Sequence, residues 1–300
     1  MKEGNVWEKR GGSMQDKKAW LRALAVDFLD TDVNRMGDSF GEERMWAVPL
    51  VGFAAGDDAL FQQYKASDAC GVEHWTPAEA FATVYPGTDV AADELTVVSW
   101  VLPQTEEAKA SFRCQTHQLS ERWARTRIFG ETINDRLREH MVQCIREAGY
   151  EVMAPVHSPE WKVLETPELL YTSRWSERHV AHAAGLGTFG LCDALITPAG
   201  KAHRLGSVVL RLKLEADARP YSDRHAYCLY YMKGGNCRAC INRCSLGALS
   251  KDGHDKKICR AFIRGGAVEQ CRDLFGLKGY SCGFCQTAVP CESGIPAGLG

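Results

Sequence analysis

Cys228-Leu-Tyr-Tyr-Met-Lys-Gly-Gly-Asn-Cys237-Arg-Ala-Cys240-Ile-Asn-Arg-Cys244, joined later by Cys282-Gly-Phe-Cys285-Gln-Thr-Ala-Val-Pro-Cys291, is the stretch that decides how this chain is read. Cys259 and Cys271 lie between the two runs, so nine of the thirteen cysteines fall within this one stretch. Core packing or chance would scatter them more evenly. Each run holds a Cys-x-x-Cys with a further Cys downstream, a spacing that turns thiolates towards a shared soft metal.

The two-cluster ferredoxin pattern is C-x2-C-x2-C-x3-C-P, repeated, with the fourth Cys of each run serving the other cluster. Cys237, Cys240 and Cys244 stand at the second, third and fourth positions. Gly234 stands where the first Cys belongs, and Ser245 where the Pro belongs. Cys228, just upstream, is the substitute we expect. Sharing ligands between runs gives one 4Fe–4S cluster to Cys228, Cys237, Cys240 and Cys291. The other goes to Cys244, Cys259, Cys282 and Cys285, and Cys271 is left over. Two alternatives share the same donor chemistry: four-cysteine zinc sites, and a single cluster beside unused thiols. Cys70, Cys114, Cys144 and Cys192 read as small buried hydrophobes, Cys192 alone lying near another motif.

The rest of the composition is ordinary. The chain has 300 residues, 45% of them apolar and 25% charged, with a net charge of −2. That balance argues against a nucleic-acid binder driven by bulk charge. No apolar run approaches the length of a membrane span, and no membrane partner is expected. The N-terminal stretch is polar and lacks a secretory core, so a cytoplasmic location is expected, where thiols stay reduced and serve metals.

Three parts are expected: a flexible arm over residues 1–15, an α+β cofactor and substrate domain over 16–223, and a ferredoxin-like module over 224–300. Within the second, Trp20, Leu21, Leu24, Ala25, Phe28 and Leu29 share one helical face. Residues 45–55 read as a strand weakened by Pro49, 57–65 and 77–83 as short helices, and 95–102 as a strand buried on both faces. Ile133, Leu137, Met141 and Ile145 predict a helix over 131–148, ended by Gly149. A strand over 150–156, a helix over 176–184 and strands over 194–197 and 206–214 follow. From about Ala226 regular structure is expected to give way.

Gly185-Leu-Gly187-Thr188-Phe189-Gly190 matches G-x-G-x-x-G letter for letter. A dinucleotide fold needs a strand before that motif and a helix after it. Here the order is reversed, which argues against NAD. A tight loop admitting backbone close to something bulky is the expected reading, and a plain corner is the alternative. His157, His179, His182 and His203 surround the loop. Any of them has the chemistry of an axial ligand to a corrinoid or haem, though scattered histidines are more commonly ordinary polar contacts.

Together these motifs resemble the epoxyqueuosine reductases. Ser176-Glu177-Arg178-His-Val-Ala-His-Ala-Ala-Gly185-Leu-Gly187-Thr188-Phe189-Gly190 is similar to that family's segment ending in AGLGWxGKN. Arg122-Trp-Ala-Arg-Thr-Arg127 resembles its RYAxGR, and the cysteine runs follow in order. The likeness extends from about Leu95 to Pro296.

The resemblance implies a nitroreductase-like cobalamin-binding domain joined to a two-cluster ferredoxin-like module, as in the related reductive dehalogenases. It implies a cobalamin-dependent iron–sulfur reductase, with electrons passing singly from a donor such as ferredoxin or flavodoxin. It implies cofactor contacts at Gly185, Gly187, Thr188, Phe189 and Gly190. The family's catalytic Asp lies fourteen residues before the first Gly of AGLG, which here is Tyr171, a residue able to donate a proton. The family's Asp-Tyr-His is here Ile128-Phe129-Gly130, its Trp is Thr188, and its Lys-Asn is Leu191-Cys192. The helical-repeat region with which many members engage tRNA does not follow Cys291. A small-molecule substrate is therefore expected rather than tRNA. The other reading is an electron-transfer iron–sulfur protein with no cobalamin of its own.

Overall fold

Leu95–Pro103 is buried at all nine positions and forms the second strand of a four-stranded antiparallel sheet. The computed structural model describes residues 13–66, 68–167 and 169–299. On one side Leu95–Pro103 pairs with Leu50–Ala55, on the other with His203–Arg211, and Val152–Met153 completes the sheet beyond the latter. Helices cover both faces of this central strand, which is why its sequence, LTVVSWVLP, runs apolar without alternation.

One face of the sheet packs on Met14–Leu29 and Glu121–Glu147, burying Leu21, Trp46, Trp100, Leu137 and Met141. The other packs on Glu177–Ala183 and Pro77–Ala82, burying Phe61, Phe81, Trp175 and Val180. The register sets Trp100 opposite Gly206, where a Cβ would lie 2.5 Å from the indole ring. Trp100 Nε1 donates to the buried Asn134 Oδ1 at 2.9 Å, which ties the long helix to the sheet.

Several boundaries differ from the sequence expectation. Met14 and Gln15 are helical rather than part of an arm, because Ser13 and Asp16 form a capping box; the remainder of the arm lies outside the described residues. The long helix begins ten residues earlier than its apolar repeat indicates, capped by Ser120, and Gly130 within it makes room for the Trp46 ring. The strand expected over 150–156 shrinks to Val152–Met153, since Pro155 has no N–H to give and opens a 3-10 turn.

The cysteine stretch is more regular than expected. Ala239–Arg243, Lys256–Arg264 and Gly266–Phe275 are helices. It also leans on earlier residues: Phe112 and Trp123 pack with Ala267, Cys271 and Phe284, while Leu191 and Ile196 pack with Cys228, Cys240 and Val289. No helix is long and apolar enough to cross a membrane.

Candidate functional site

Cys228, Cys237, Cys240 and Cys291 line one small cavity with Lys201, Leu191, Ile196, Val289 and Pro290. Three stretches of chain meet there. Cys228 ends a turn whose N–H donates to His225 O, Cys240 rides on the Ala239–Arg243 helix, and Cys291 O accepts from Lys201 N–H at 3.0 Å. The second set lies alongside. Burial, and then the nearby thiols of Cys259 and Cys244, push Cys282 up to about 12. The hydrogen bond to Cys192 and then burial hold the Cys285 thiol well above its usual value, and nearby Cys282 adds to this. Among the described residues, no three His, Cys, Asp or Glu side chains close on one point as a single-ion site.

Cys271 is elsewhere. It is fully buried in the Gly266–Phe275 helix, packed against the Trp123 cluster. Of the four cysteines expected to be buried hydrophobes, Cys70 is buried, whereas Cys114 is exposed at a helix end and Cys144 is half-exposed beside His140. Cys192 is buried but polar. It lies between Cys240 and Cys285, and their hydrogen bonds hold its thiol well below the usual range, with Lys201 adding to the effect. Lys201 Nζ donates to Cys192 Sγ at 3.4 Å, from a side chain only 2% exposed.

A groove opens on the far side of Cys192 and Lys201. Its first part, about 640 Å³, is lined by both of them and by Glu177, Arg138, His157, His203 and Arg204. Glu177 is half-buried, and the loss of solvent raises its carboxyl; Ser207 Oγ donates to it at 2.6 Å and Arg138 at 3.3 Å. Two further parts, about 260 and 440 Å³, share Tyr171, Asp193 and Lys256. Arg178 lines all three parts.

Tyr171 is half-buried, follows Leu170 in a left-handed turn (φ 60°), and has the Arg260 guanidinium 3.6 Å above its ring. Arg178, Arg224 and Lys256 surround the smaller part, and none has a carboxylate ion pair among the described residues. Asp193 is engaged by His254 at 3.1 Å.

The glycine loop divides. Phe189 lines the Tyr171 cavity and Gly190 the cysteine cavity. Gly185, Gly187 and Thr188 instead make backbone packing. A Cβ on Gly187 would lie 2.2 Å from Ile196 O, and one on Gly185 2.9 Å from Ala218 O. Thr188 is fully buried, its Oγ1 accepting from Tyr227 N–H at 2.9 Å. Of the histidines, His179 lines the Tyr171 cavity, and His157 and His203 the larger one. His182 is taken by Tyr64 OH at 2.7 Å. Burial pulls His203 down to about 4 and His179 well below its usual value, so both are neutral, each with one buried ring nitrogen lacking a partner among the described residues.

Sequence reasoning missed Lys201, Arg178 and Glu177, and misread Cys192. The only signal for Cys192 was its place directly after the glycine loop. An isolated lysine after Thr197-Pro198-Ala199-Gly200 carries no signal at all.

No protein-family model matches the chain. It is 33% identical to the epoxyqueuosine reductase of Bacillus cereus over 137 residues, which are 44% of this chain and 33% of that protein. The corresponding Staphylococcus aureus enzyme is 31% identical over the same length. The matched segment thus spans about a third of these relatives (33%). Among solved structures, an epoxyqueuosine reductase with an epoxyqueuosine-modified tRNA stem loop has a TM-score of 0.47 at 18% identity, covering 96% of this chain and 68% of that one. A catabolic reductive dehalogenase in complex with 3-bromo-4-hydroxybenzoic acid has a TM-score of 0.49 at 16% identity, covering 95% and 37%. Over somewhat less than half its length, then, this chain is similar in sequence to the epoxyqueuosine reductases.

Proposed function

We propose that this protein is a cobalamin-dependent iron–sulfur reductase that takes electrons singly from a low-potential ferredoxin or flavodoxin and reduces a small molecule. One observation carries the reading: thiols from three separate stretches surround one cavity, and Lys201 lines both that cavity and a wide groove that Cys192 also lines.

The donor set fits iron–sulfur chemistry. Cys228, Cys237, Cys240 and Cys291 would hold one 4Fe–4S cluster, and Cys244, Cys259, Cys282 and Cys285 the other. Four sulfurs spread round a space suit a cubane, whereas a single zinc asks them to meet about 2.3 Å from one point. The cavity measures about 20 Å³ with the side chains as they stand, so seating a cluster requires the thiols to turn outward. The groove would hold the corrinoid, with neutral His179 and His203 among its walls and Phe189 at the part of the glycine loop that reaches it, while Gly190 lines the cysteine cavity. When bound, these groups supply one-electron transfer and a low-potential cobalt centre.

The chain's own residues do the rest. Tyr171 is the proton donor we assign, its ring held by Arg260. Arg178, Arg224 and Lys256 present positive charge to an entering substrate. Cys192 and Lys201 keep groove water away from the thiols.

The test is anaerobic purification with iron, sulfide and corrinoid analysis. About eight iron atoms per chain and a brown spectrum are expected, from two four-iron clusters. Colourless protein carrying zinc would overturn the reading. Titration with cobalamin should perturb the corrin spectrum; an unchanged spectrum would favour the electron-transfer protein instead. Turnover of an epoxyqueuosine-modified stem loop would replace the small molecule with tRNA.

A further inference from the structure

Lys201 is an unusual lysine. Its side chain is 2% exposed, and its ammonium has no carboxylate partner among the described residues. Glu292, the carboxylate nearest in sequence to Cys291, is already held by Arg113 at 2.6 Å. A buried ammonium with no counter-charge is costly, typically by several kcal/mol. Such a group persists where something negative sits beside it.

The backbone forces the placement. Thr197 and Gly200 close a tight turn through reciprocal bonds, Thr197 N–H to Gly200 O at 3.1 Å and Gly200 N–H to Thr197 O at 2.8 Å. Gly200 has φ +82°, and a Cβ there would lie 2.0 Å from Glu292 O, so only glycine allows this approach. The turn therefore docks on the Cys291–Glu292 backbone, and the bond from Lys201 N–H to Cys291 O locks it. The side chain runs to Cys192 and lines both the cysteine cavity and the groove. Among the described residues lining that cavity, Lys201 is the only charged one. The negative neighbours that offset its charge are the cysteines themselves.

We propose that Lys201 is a positioning residue for the iron–sulfur centre: its ammonium, held by Cys192, raises the reduction potential of the cluster ligated by Cys228, Cys237, Cys240 and Cys291. The inference rests on the iron–sulfur reading above. Reduction adds one electron, and so one negative charge, to a centre already surrounded by thiolates. A fixed cation beside those thiols would stabilise the reduced form more than the oxidised one. In a buried setting solvent screens that preference little. Net charge and hydrogen bonds to the sulfurs are the levers by which a protein sets a cluster potential, and Lys201 with Cys192 supplies both.

The test is an EPR-monitored redox titration of the anaerobic holoprotein, comparing wild type with Lys201→Met, Lys201→Gln and Lys201→Arg. In the two neutral variants one midpoint should fall by at least tenfold in the reduction equilibrium, which is about 59 mV for one electron. The other midpoint should move less, and Lys201→Arg should restore most of the shift. Neutral variants with full iron and unmoved midpoints would overturn the inference while leaving the iron–sulfur reading intact. Loss of iron from both neutral variants but not from Lys201→Arg would also support it, since charge is then what holds the cluster. Loss from all three would overturn it, because side-chain shape would then be the requirement. Wild-type protein without iron would overturn the inference and the reading together.

Discussion

The sheet region and the cysteine region are held together by different means. The sheet has apolar cores on both faces, built from Trp, Phe, Leu and Val, with each buried polar atom of Trp100, Asn134 and Trp175 bonded to a neighbour. Burial at roughly 25 cal/mol per Å² suffices for such a structure. The cysteine region has short helices and loops, and its buried clusters consist largely of thiols and of residues taken from the sheet region. Thiols are small hydrophobes at best. If the cysteines bind clusters as proposed, the contrast predicts that the cysteine region depends on its ligands for its shape while the sheet does not.

The sharpest way to break that comparison is Cys240→Ala. It should remove about half of the iron, from eight atoms towards four per chain, and expose residues 224–300 to limited proteolysis while the sheet core survives. Cys228→Ala should behave the same way. Cys271→Ala should keep all its iron, because that thiol packs against the Trp123 cluster instead of lining the cavity. Iron loss from Cys271→Ala but not from Cys228→Ala would reverse the ligand assignment.

Gly206→Val attacks the other side of the comparison. The new side chain would meet the Trp100 ring at 2.5 Å from its Cβ alone. A loss of about 3 kcal/mol or more in chemical denaturation is expected, at the upper end for overpacked cores. A sheet that tolerates valine there without loss would remove the basis for treating it as the packed half.

Acid should also act on the sheet side. Burial pulls His74 and His182 down to about 4 each. The unfolded chain takes up those protons near 6.5. Between these values the unfolded state therefore binds more protons, and stability is full above about 6.5 and lost as pH falls towards 4. Each histidine contributes at most about 3 kcal/mol to that loss. Urea midpoints at pH 7 and pH 5 measure it; His182→Asn should flatten part of the difference, and equal midpoints in the wild type would contradict neutral burial.

Tyr171→Phe should have the smallest structural effect. The ring and its contact with Arg260 remain, so stability should change by less than about 0.5 kcal/mol with iron unaltered. Turnover should fall by about 100-fold or more if the phenol is the proton donor. Unchanged turnover would leave Tyr171 as a wall of the groove.

Much of this was legible without coordinates. The near-continuous apolar run at 95–102 announced a strand covered on both faces, and the four-residue repeat from Ile133 to Ile145 announced the long helix. Both signals are local, set by which faces of an element meet water. The helix start at Glu121 was not legible, because residues 121–130 are highly charged and their burial depends on Trp46 and the cysteine region closing over them. Nor was the course of Lys201, which is decided by a turn pressed against Glu292, ninety-two positions further along the chain from Gly200.

The cysteine spacing by itself carried the expectation of a soft-metal site, since local spacing sets which sulfurs can face one another. Tertiary structure alone brought Cys228, Cys240 and Cys291 round one cavity, drew Cys192 between Cys240 and Cys285, and set a lone buried cation beside them. Those contacts join segments distant in sequence, and the close backbone approach that permits them leaves no pattern in any one segment.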